Sequence, residues 1–430
     1  MRRVGRDSLH SCSQSRRLLE SIDSERLSIA GAAGTRALGD RVAGGRVSQR
    51  INDEMADIVV IHMQETGGKH YVECAWQVPK LIEELALRLP RYPTVRAYLD
   101  LEHEAPTFTA LGSVMLIRDA SIGAISQFNF ATRSYVAVEK GLHISVDGLE
   151  DSPVIVKKKF PKHFWPTIKW GRKGYMQTRW KVNNSTFDFV NVHLFHDESN
   201  LALIHENPLL YSSNRKRALD YVLDQLTRSD GVCSPFRFIF GDLNFRLDCP
   251  SFLNRLTERA SLHPLDEQHG SMADGLQTST ITPISDHLRK TVSAIEFRRE
   301  AEDDVNSGIC KTSILLVFFS CVLRIEKKRF DYFNHKKLLD DWKSYLEDDC
   351  ETKNFKQLHE LPINFPPTYP WSEDPEDSEV MMKTRAPAWC DRVLMNARAF
   401  TIVKKGNPSY SSFGRDICTG DHKVILLNIV

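Results

Sequence analysis

Short runs of β-branched and aromatic residues, separated by stretches with helical periodicity, constrain the fold of this chain more than any other feature of its sequence. Runs of this length and composition predict buried strands. Between them, residues 214–227 place apolar side chains on one face of a helix. Strands that alternate with helices predict an α/β fold, and no internal repeat is found. The predicted strands are residues 57–62, 187–194, 236–240, 392–395 and 423–430.

Composition permits a globular enzyme and argues against several other classes. Of the 430 residues, 41% are apolar, which is enough for a packed core. The 57 basic and 56 acidic residues leave a net charge of +1, so phosphate-binding cations must be local and no nucleic-acid partner is expected. The nine cysteines include no C-x-x-C pair, which predicts a reducing compartment. The apolar run at residues 314–323 is too short to cross a bilayer, so no transmembrane segment is predicted.

Polar residues cluster where the predicted strands end. Glu65 follows the first predicted strand, His193 lies near the end of the second, and Asp242 and Asn244 come directly after the third. Catalytic groups of α/β folds lie preferentially at such ends, because the sheet fixes the backbone while the loop exposes the side chain. We therefore expect these side chains to converge on one pocket.

The segment at residues 240–246 carries the most information about chemistry. Gly241 allows a sharp turn, after which Asp242 and Asn244 point to the same side if the backbone stays extended. The carboxylate could activate water, and the amide could orient that water or donate to a phosphoryl oxygen. The alternative is an Asx-rich turn that only closes a core strand.

Residues 385–392 form a second polar cluster, in which a proline and a tryptophan fix the approach to an Asp-Arg pair. Arg385 and Arg392 offer planar forks suited to phosphate, while Asp391 could orient a histidine. An Asp-Arg pair of this kind can equally be a structural salt bridge.

A third cluster, Asp421 and His422, precedes the last predicted strand and supplies the histidine that Asp391 would need. Its alternative is a surface turn. The combined carboxylate, amide and imidazole groups are typical of phosphate ester hydrolysis assisted by Mg²⁺. Zinc fits less well, because no H-x-x-x-H motif or cysteine pair is present, and no Walker-type loop supports nucleotide binding. The combined set is Glu65, His193, Asp242, Asn244, Asp391, Asp421 and His422.

Two longer segments resemble the signature motifs of a known family. FGDLNFRLD at residues 240–248 and RAPAWCDRVLM at residues 385–395 are similar to the two motifs of the inositol polyphosphate 5-phosphatases. These enzymes are a branch of the endonuclease/exonuclease/phosphatase superfamily. The resemblance covers about residues 50–428 and is greatest to the type I enzymes, which act on soluble inositol 1,4,5-trisphosphate. Further matches are Gln64-Glu65, NVHL at residues 191–194, and Gly420-Asp421-His422.

The resemblance implies a fold and a set of roles for the acidic residues. The fold is a DNase I-like four-layer α/β sandwich, in which two packed mixed β-sheets are flanked by helices. Glu65 and Asp421 would bind Mg²⁺, and Asp242 would activate the attacking water. Asn244 would hold the scissile phosphate or that water.

The resemblance also implies roles for the histidines and for local cations. His193 and His422 would stabilise the negative charge that develops on the phosphoryl oxygens, and Asp391 would orient His422. Cations near the motifs would bind the substrate phosphates that do not react. The candidates are Lys173, Arg215, Lys216, Arg246, Lys383, Arg385 and Arg392.

The implied activity is the Mg²⁺-dependent removal of the 5-phosphate from inositol 1,4,5-trisphosphate and inositol 1,3,4,5-tetrakisphosphate, which terminates calcium-mobilising signalling. We expect a cytoplasmic monomer; peripheral attachment at the plasma membrane and phosphoinositide lipid substrates remain open. A nuclease of the same superfamily would share the acidic and histidine residues. A binding module that holds inositol phosphates without hydrolysing them is the second alternative.

Three departures from the family pattern affect the expected organisation. No strand with the family's Thr-x-Asn motif is found before Ile51, so we expect residues 1–50 to be disordered or to reflect an incorrect gene structure. The catalytic domain is expected at residues 51–430, with an insertion near residues 305–321, for which a buried helix or strand is the alternative. Val424 stands where the family has proline, and no prenylation signal is found.

Overall fold

Two large β-sheets form the centre of the protein. This computed structural model describes residues 27–33, 41–68, 70–164, 171–205, 209–230, 234–266, 292–300, 319–418 and 420–429. The strands in these residues are β1 (Leu27–Ala33), β2 (Ile58–Gln64), β3 (Thr94–Leu99), β4 (Gly112–Ile117), β5 (Ile125–Asn129), β6 (Ser134–Ala137), β7 (Gly141–Ser145), β8 (Ile155–Lys159), β9 (Gly174–Val182), β10 (Ser185–His193), β11 (Phe236–Asp242), β12 (Ser261–Asp266), β13 (Val292–Glu300), β14 (Phe319–Glu326), β15 (Arg329–Tyr332), β16 (Leu358–His359), β17 (Asp391–Asn396), β18 (Ser409–Phe413) and β19 (Val424–Ile429).

Helices lie between many of these strands. The α-helices of the described residues are α1 (Arg41–Glu54), α2 (Tyr71–Cys74), α3 (Gln77–Arg88), α4 (Ala202–His205), α5 (Leu210–Arg228), α6 (Cys249–Leu256), α7 (Lys337–Asp340) and α8 (Ala397–Lys405). Short 3₁₀ helices occupy Asp119–Ala124, Lys162–Phe164, Trp342–Asp348, Glu351–Asn354 and Pro375–Asp377.

Both large sheets mix parallel and antiparallel pairs. The first has the order β18-β19-β1-β2-β4-β3-β7, in which β1 is parallel to β2 and antiparallel to β19. The second has the order β16-β17-β11-β10-β9-β5-β6, with β8 added beside β9, and β10 is parallel to β11. Strands β12 to β15 form a separate antiparallel sheet.

The facing surfaces of the two large sheets share one apolar core. Ile58 and Val60 of β2 lie in this core together with Phe189 of β10 and Phe238 of β11. Burying a side chain of this size contributes roughly 1.5–3 kcal/mol. The central core therefore holds the two sheets against each other.

Helices cover the outer surfaces of both sheets. The alternate residues of β2, Val59 and Ile61, lie in an apolar cluster with Ile82 of α3. On the opposite side of the protein, Ile239 of β11 clusters with Leu219 of α5. Strands buried on both faces have apolar residues throughout, which explains the uninterrupted apolar runs. The predicted sandwich of four layers is confirmed.

Most predicted elements are present, with boundaries that differ by a few residues. The five predicted strands correspond to β2, β10, β11, β17 and β19, and the predicted helix at residues 214–227 corresponds to α5. Within the described residues, no helix combines the length and apolar character needed to cross a membrane.

The amino-terminal region differs from the expectation. A strand does precede Ile51, because β1 pairs with β2 and β19 in the middle of the first sheet. Its sequence, LSIAGAA, is rich in alanine and glycine and poor in the β-branched and aromatic residues that are typical of strands. It also contains no asparagine. Residues 1–26 and 34–40 lie outside the described residues.

The suspected insertion is only partly covered by the structure. Residues 305–318 lie outside the described part of the chain, whereas residues 319–321 begin strand β14. Strand β14 pairs with β13 and β15, so this end of the segment belongs to the smaller sheet.

His62 is a fully buried histidine of β2 that faces the opposite sheet. Its ring stacks on Phe240 with 3.7 Å between centroids, and its Nδ1 lies 3.3 Å from the carbonyl oxygen of Phe240. Burial lowers the pKa of His62 from 6.5 to about 3, although the carbonyl raises it slightly. The imidazole is therefore neutral in the folded protein under mildly acidic conditions.

We expect acidification from pH 7 to pH 5 to destabilise the protein, and His62→Phe to remove part of that loss. The unfolded chain binds a proton below pH 6.5, whereas folded His62 does so only near pH 3. The free energy of unfolding is therefore highest above pH 6.5 and falls as the pH drops. Protonation of His62 in the unfolded chain accounts for a loss of about 2 kcal/mol at pH 5. Urea denaturation at both pH values measures the effect. An identical pH dependence in both proteins would contradict this explanation.

Candidate active site

Strand pairing brings the predicted polar clusters to one rim of the sandwich. In the second sheet, the parallel register of β10 and β11 places His193 opposite Asp242. The antiparallel register of β11 and β17 places Asp391 opposite Asp242 on its other side. Glu65 follows β2 in the first sheet. Residues that are far apart in sequence therefore meet at the strand ends, as predicted.

A cavity of about 230 Å³ lies at this rim. Most of the predicted site residues line it, and the two sheets contribute to the same wall. Asp391 lies just behind the lining, where it contacts His422. The predicted residues that line the cavity are Glu65, Lys173, His193, Asp242, Asn244, Arg246, Arg385, Asp421 and His422.

The turn after β11 orders Asp242 and Asn244. Gly241 and Asn244 both have positive φ, at 148° and 52°, and the backbone N–H of Asn244 donates to Oδ1 of Asp242 at 2.9 Å. The Nδ2 of Asn244 donates to Oδ2 of Asp242 at 2.8 Å and to the Leu194 carbonyl at 3.0 Å. Asp242 therefore forms an Asx turn, which was the structural alternative to a catalytic role. The same turn presents the side chains of Asp242 and Asn244 to the cavity.

Asp242 is held as an anion by the cations around it. Its Oδ2 lies 3.1 Å from Nε2 of His193. Burial alone would raise the pKa of Asp242, but His422, His193 and Lys173 outweigh burial and hold the pKa well below its usual range. The carboxylate therefore stays charged across the physiological pH range.

Lys173 is a buried cation whose ammonium contacts Nε2 of His193, the same ring nitrogen that lies beside Asp242. Burial lowers the pKa of Lys173 to about 8, with Glu65 and Asp242 opposing the shift. The pKa of His193 is also lowered, by burial and by the charge of Lys173. His193 therefore lies against both the ammonium of Lys173 and the carboxylate of Asp242.

His422 and Asp391 form a buried dyad beside Asp242. Nδ1 of His422 lies 2.8 Å from Oδ2 of Asp391. Burial would lower the pKa of His422, but the charges of Asp391 and Asp242 raise it to about 10. The dyad therefore presents an imidazolium to the cavity.

Glu65 is a partly exposed acidic residue of the cavity wall, with 42% of its side chain accessible. Burial would raise its pKa, but His193, Lys173 and Arg172 together lower it to about 2. Its backbone has a φ of 52°, a conformation that is uncommon for a residue with a side chain and clusters at functional sites. Glu65 is therefore an ionised carboxylate that faces the open part of the cavity.

The donor set of the cavity fits a hard cation. Mg²⁺ needs one or two carboxylates and keeps several waters, and Glu65 and Asp421 line the cavity as such carboxylates. In the described residues, Asp242, Cys390 and His422 bring potential ligand atoms within 4.8 Å of one another. That cluster suits zinc poorly, because burial holds the pKa of the Cys390 thiol well above its usual value. The site therefore fits Mg²⁺ better than zinc.

Four predicted substrate-binding cations do not line the cavity. Arg215 is buried and pairs with Glu351 and with Asp197. Lys216 pairs with Asp220 on the surface of α5, and Lys383 pairs with Asp331. Arg392 is buried and points away from the cavity. Arg215 is linked to the cavity wall, because its partner Asp197 is a lining residue.

Arg392 holds two acidic residues in the interior. Its guanidinium donates to Glu360 at 2.8 Å and 2.6 Å and to Asp349 at 2.8 Å and 3.1 Å. Only 2% of its side chain is exposed. Arg392 thus forms buried salt bridges, but its partners are Glu360 and Asp349, whereas Asp391 pairs with His422.

We expect Arg392→Met to lower the free energy of unfolding by about 3–5 kcal/mol, because it leaves Asp349 and Glu360 buried without a counter-charge. Lys383→Met is the matched control, since it removes a pair whose lysine is 56% exposed. Exposed pairs contribute at most about 1 kcal/mol. Chemical denaturation of both variants measures the difference. Equal losses would contradict the buried role of Arg392.

Sequence reasoning missed several residues of the cavity wall. His196 and Asp197 line the cavity with Tyr369 and Glu373. Burial, Lys173 and Arg246 lower the pKa of His196 to about 3, so its imidazole is neutral. The sequence could have indicated His196 and Asp197, because they follow His193 at the end of β10 by only three and four residues. No comparable signal marks Tyr369 or Glu373, which lie in a loop between β16 and β17.

Comparisons with known proteins found a matching family model and a similar solved structure. A family model described as Endonuclease/Exonuclease/phosphatase family 2 matches residues 276–428. A synaptojanin 5-phosphatase domain, solved with inositol (1,4)-bisphosphate and calcium, aligns with a TM-score of 0.48 at 14% identity over 98% of this chain and 90% of that chain.

Two relatives align over most of the chain. The probable type I inositol 1,4,5-trisphosphate 5-phosphatase of Caenorhabditis elegans is 58% identical over 388 residues, which is 89% of this chain and 92% of that protein. Inositol polyphosphate-5-phosphatase A of Homo sapiens is 36% identical over 391 residues, which is 88% of this chain and 85% of that protein. At these identities over nearly full-length alignments, the chain is a member of the inositol polyphosphate 5-phosphatase family of phosphoric monoester hydrolases.

Proposed function

We propose that this protein removes the 5-phosphate of soluble inositol polyphosphates in a reaction that depends on Mg²⁺. The observation that carries the proposal is the meeting of Glu65, Asp242, Asn244 and His422 in one cavity. The named activities of the two relatives indicate the substrate class. Inositol 1,4,5-trisphosphate and inositol 1,3,4,5-tetrakisphosphate are the proposed substrates, and their removal would terminate calcium-mobilising signalling.

The acidic residues divide into metal binding and water activation. Glu65 and Asp421 would hold Mg²⁺, which supplies positive charge to the phosphoryl oxygens when bound. Asp242 orients the attacking water and accepts its proton, and Asn244 holds the water or the phosphoryl group. The low pKa of Asp242 makes it a weak base in the free protein. A bound phosphate dianion would offset part of the surrounding positive charge and so raise the pKa of Asp242.

The cations serve two different parts of the substrate. His422, held as an imidazolium by Asp391, donates to the phosphoryl oxygens as the bond to the inositol oxygen breaks. His193 supports Asp242 from the opposite side. Arg246, whose guanidinium lies 4.5 Å above the ring of Tyr369, and Arg385 are the proposed contacts of the phosphates that remain. Lys173 is a further such contact.

Phosphate release from inositol 1,4,5-trisphosphate tests the proposal. We expect release in the presence of Mg²⁺ and its loss on chelation with EDTA, with inositol 1,4-bisphosphate as the organic product. Cleavage of duplex DNA without phosphate release would instead identify a nuclease. Tight binding of the trisphosphate without release would identify a binding module, an outcome that the absence of asparagine from β1 makes worth measuring. Vesicles containing phosphoinositide lipids test lipid substrates in the same assay.

A further inference from the structure

A buried pair of amide side chains connects the two sheets next to the cavity. Gln64 is the last residue of β2, and Asn191 lies on β10 in the opposite sheet. Nε2 of Gln64 donates a hydrogen bond of 2.6 Å to Oδ1 of Asn191, and both side chains are fully buried. Neither residue lines the cavity. The pair therefore cannot touch a substrate directly.

Asn191 is anchored to the backbone of the first sheet. Its Nδ2 donates to the carbonyl oxygen of Met63 at 3.0 Å and to that of Gly112 at 2.8 Å. These two residues form the last pair of the β2–β4 ladder on the side of the cavity. Within the described residues, Asn191 is also the one hydrogen-bond partner of the Gln64 side chain. We call the hydrogen-bonded side chains of Gln64 and Asn191 the amide bridge. The bonds of Asn191 to the backbone of the first sheet determine the position of this bridge.

The bridge packs directly against the backbone that carries Asp242. A Cβ atom added to Gly241 would lie 2.8 Å from Nε2 of Gln64 and 3.2 Å from Oδ1 of Asn191. Both distances are shorter than ordinary van der Waals contact. No free space separates the amide pair from the residue that precedes Asp242.

We propose that Gln64 and Asn191 are positioning residues, which set the distance between Glu65 at the end of β2 and Asp242 at the end of β11. Glu65 and Asp242 belong to different sheets, and apolar packing between sheets has no preferred direction. Directional hydrogen bonds across the core remove the freedom of one sheet to slide against the other. The inference rests on the proposed function, because it concerns the metal-binding and water-activating groups of that reaction.

Two variants break the bridge from opposite sides. Asn191→Leu removes all three hydrogen bonds of the asparagine, whereas Gln64→Met removes only the bond between the amides. Gln127→Leu is the matched control, because Gln127 of β5 forms another buried hydrogen bond between the sheets, at 2.9 Å with the hydroxyl of Tyr98 in β3. Neither Gln127 nor Tyr98 lines the cavity. All three variants are expected to lower the thermal stability.

Only the two bridge variants should impair the site. We expect kcat for inositol 1,4,5-trisphosphate to fall about 10- to 100-fold in Gln64→Met and Asn191→Leu, with a smaller change in KM. Mg²⁺ binding without substrate, measured by titration calorimetry, should weaken about 10-fold in the same variants. In Gln127→Leu, both kcat and Mg²⁺ binding should equal those of the wild type.

The outcomes separate this inference from the proposed function. If the bridge variants lose stability but keep kcat and Mg²⁺ affinity, the pair is purely structural and the inference is overturned. If Asn191→Leu does not fold, Gln64→Met carries the test, because it leaves the bonds from Asn191 to the backbone intact. If the wild type releases no phosphate, the proposed function fails, and the calorimetric comparison alone decides whether the pair positions Glu65.

Discussion

Asp242→Asn is expected to reduce phosphate release from inositol 1,4,5-trisphosphate by about 10²- to 10⁴-fold, the range typical of losing a general base. The substitution keeps the size of the side chain but removes its negative charge. In the wild type that charge is opposed by His422, His193 and Lys173. The variant therefore loses the proton acceptor and also leaves three cationic or polar groups without their central anion.

Asp188→Asn is the matched control for Asp242→Asn. Asp188 lies on the same strand as His193, is fully buried, and pairs with Arg179 at 2.6 Å and with Arg237 at 3.2 Å. Its replacement should lower the thermal stability without changing kcat, because none of these residues lines the cavity. Steady-state kinetics and thermal denaturation of both variants provide the comparison. Residual activity near the wild-type level in folded Asp242→Asn would remove Asp242 from the mechanism.

Asp391→Asn is expected to reduce kcat by about 10²- to 10³-fold at neutral pH and to change its pH dependence. In the wild type, Asp391 and Asp242 raise the pKa of His422 to about 10, so the imidazolium persists up to alkaline pH. Without the charge of Asp391, this pKa moves down toward 6.5. Activity of the variant should therefore decline as the pH rises from 6 to 9, where the wild type keeps its donor.

A double-mutant cycle tests whether Asp391 acts through His422. His422→Gln alone should cost about 10²- to 10³-fold in kcat, as expected for the loss of a positioned donor. Adding Asp391→Asn to His422→Gln should then cost little more, because residues that share one interaction are not additive. Fully additive effects, or an unchanged pH profile in Asp391→Asn, would show that Asp391 has only a structural role.

The elements of the sandwich were predictable where burial imposes a simple pattern on the sequence. Strands such as β2 and β11 are buried on both faces, so they read as short uninterrupted apolar runs. Strand β1 was not predicted, because the alanine and glycine residues that dominate its sequence have little preference for strands. Its position between β2 and β19 is imposed by neighbours that are 31 and more than 390 residues away along the chain.

The residues of the site were predictable to the extent that they lie at strand ends. Asp242, Asn244 and His193 follow or end strands, and their convergence follows from the register of β10 against β11. The cations were harder, because a long flexible side chain can reach either the cavity or a distant acid. Arg385 lines the cavity, whereas Arg392, seven residues later in the same motif, pairs with Asp349 and Glu360.

The sequence alone determined the α/β class, the strand-end positions of the acidic and histidine residues, and the family, because these depend on local periodicity and on contiguous motifs. Only the tertiary structure decided which charges face the cavity, which are neutralised in the core, and that Gln64 meets Asn191 across the two sheets. These properties depend on contacts between residues 32 to 136 positions apart, such as Arg392 with Glu360 and Arg215 with Glu351. Such contacts form only when the two sheets pack, because desolvation and pairing of each charge are decided by neighbours that local sequence does not specify.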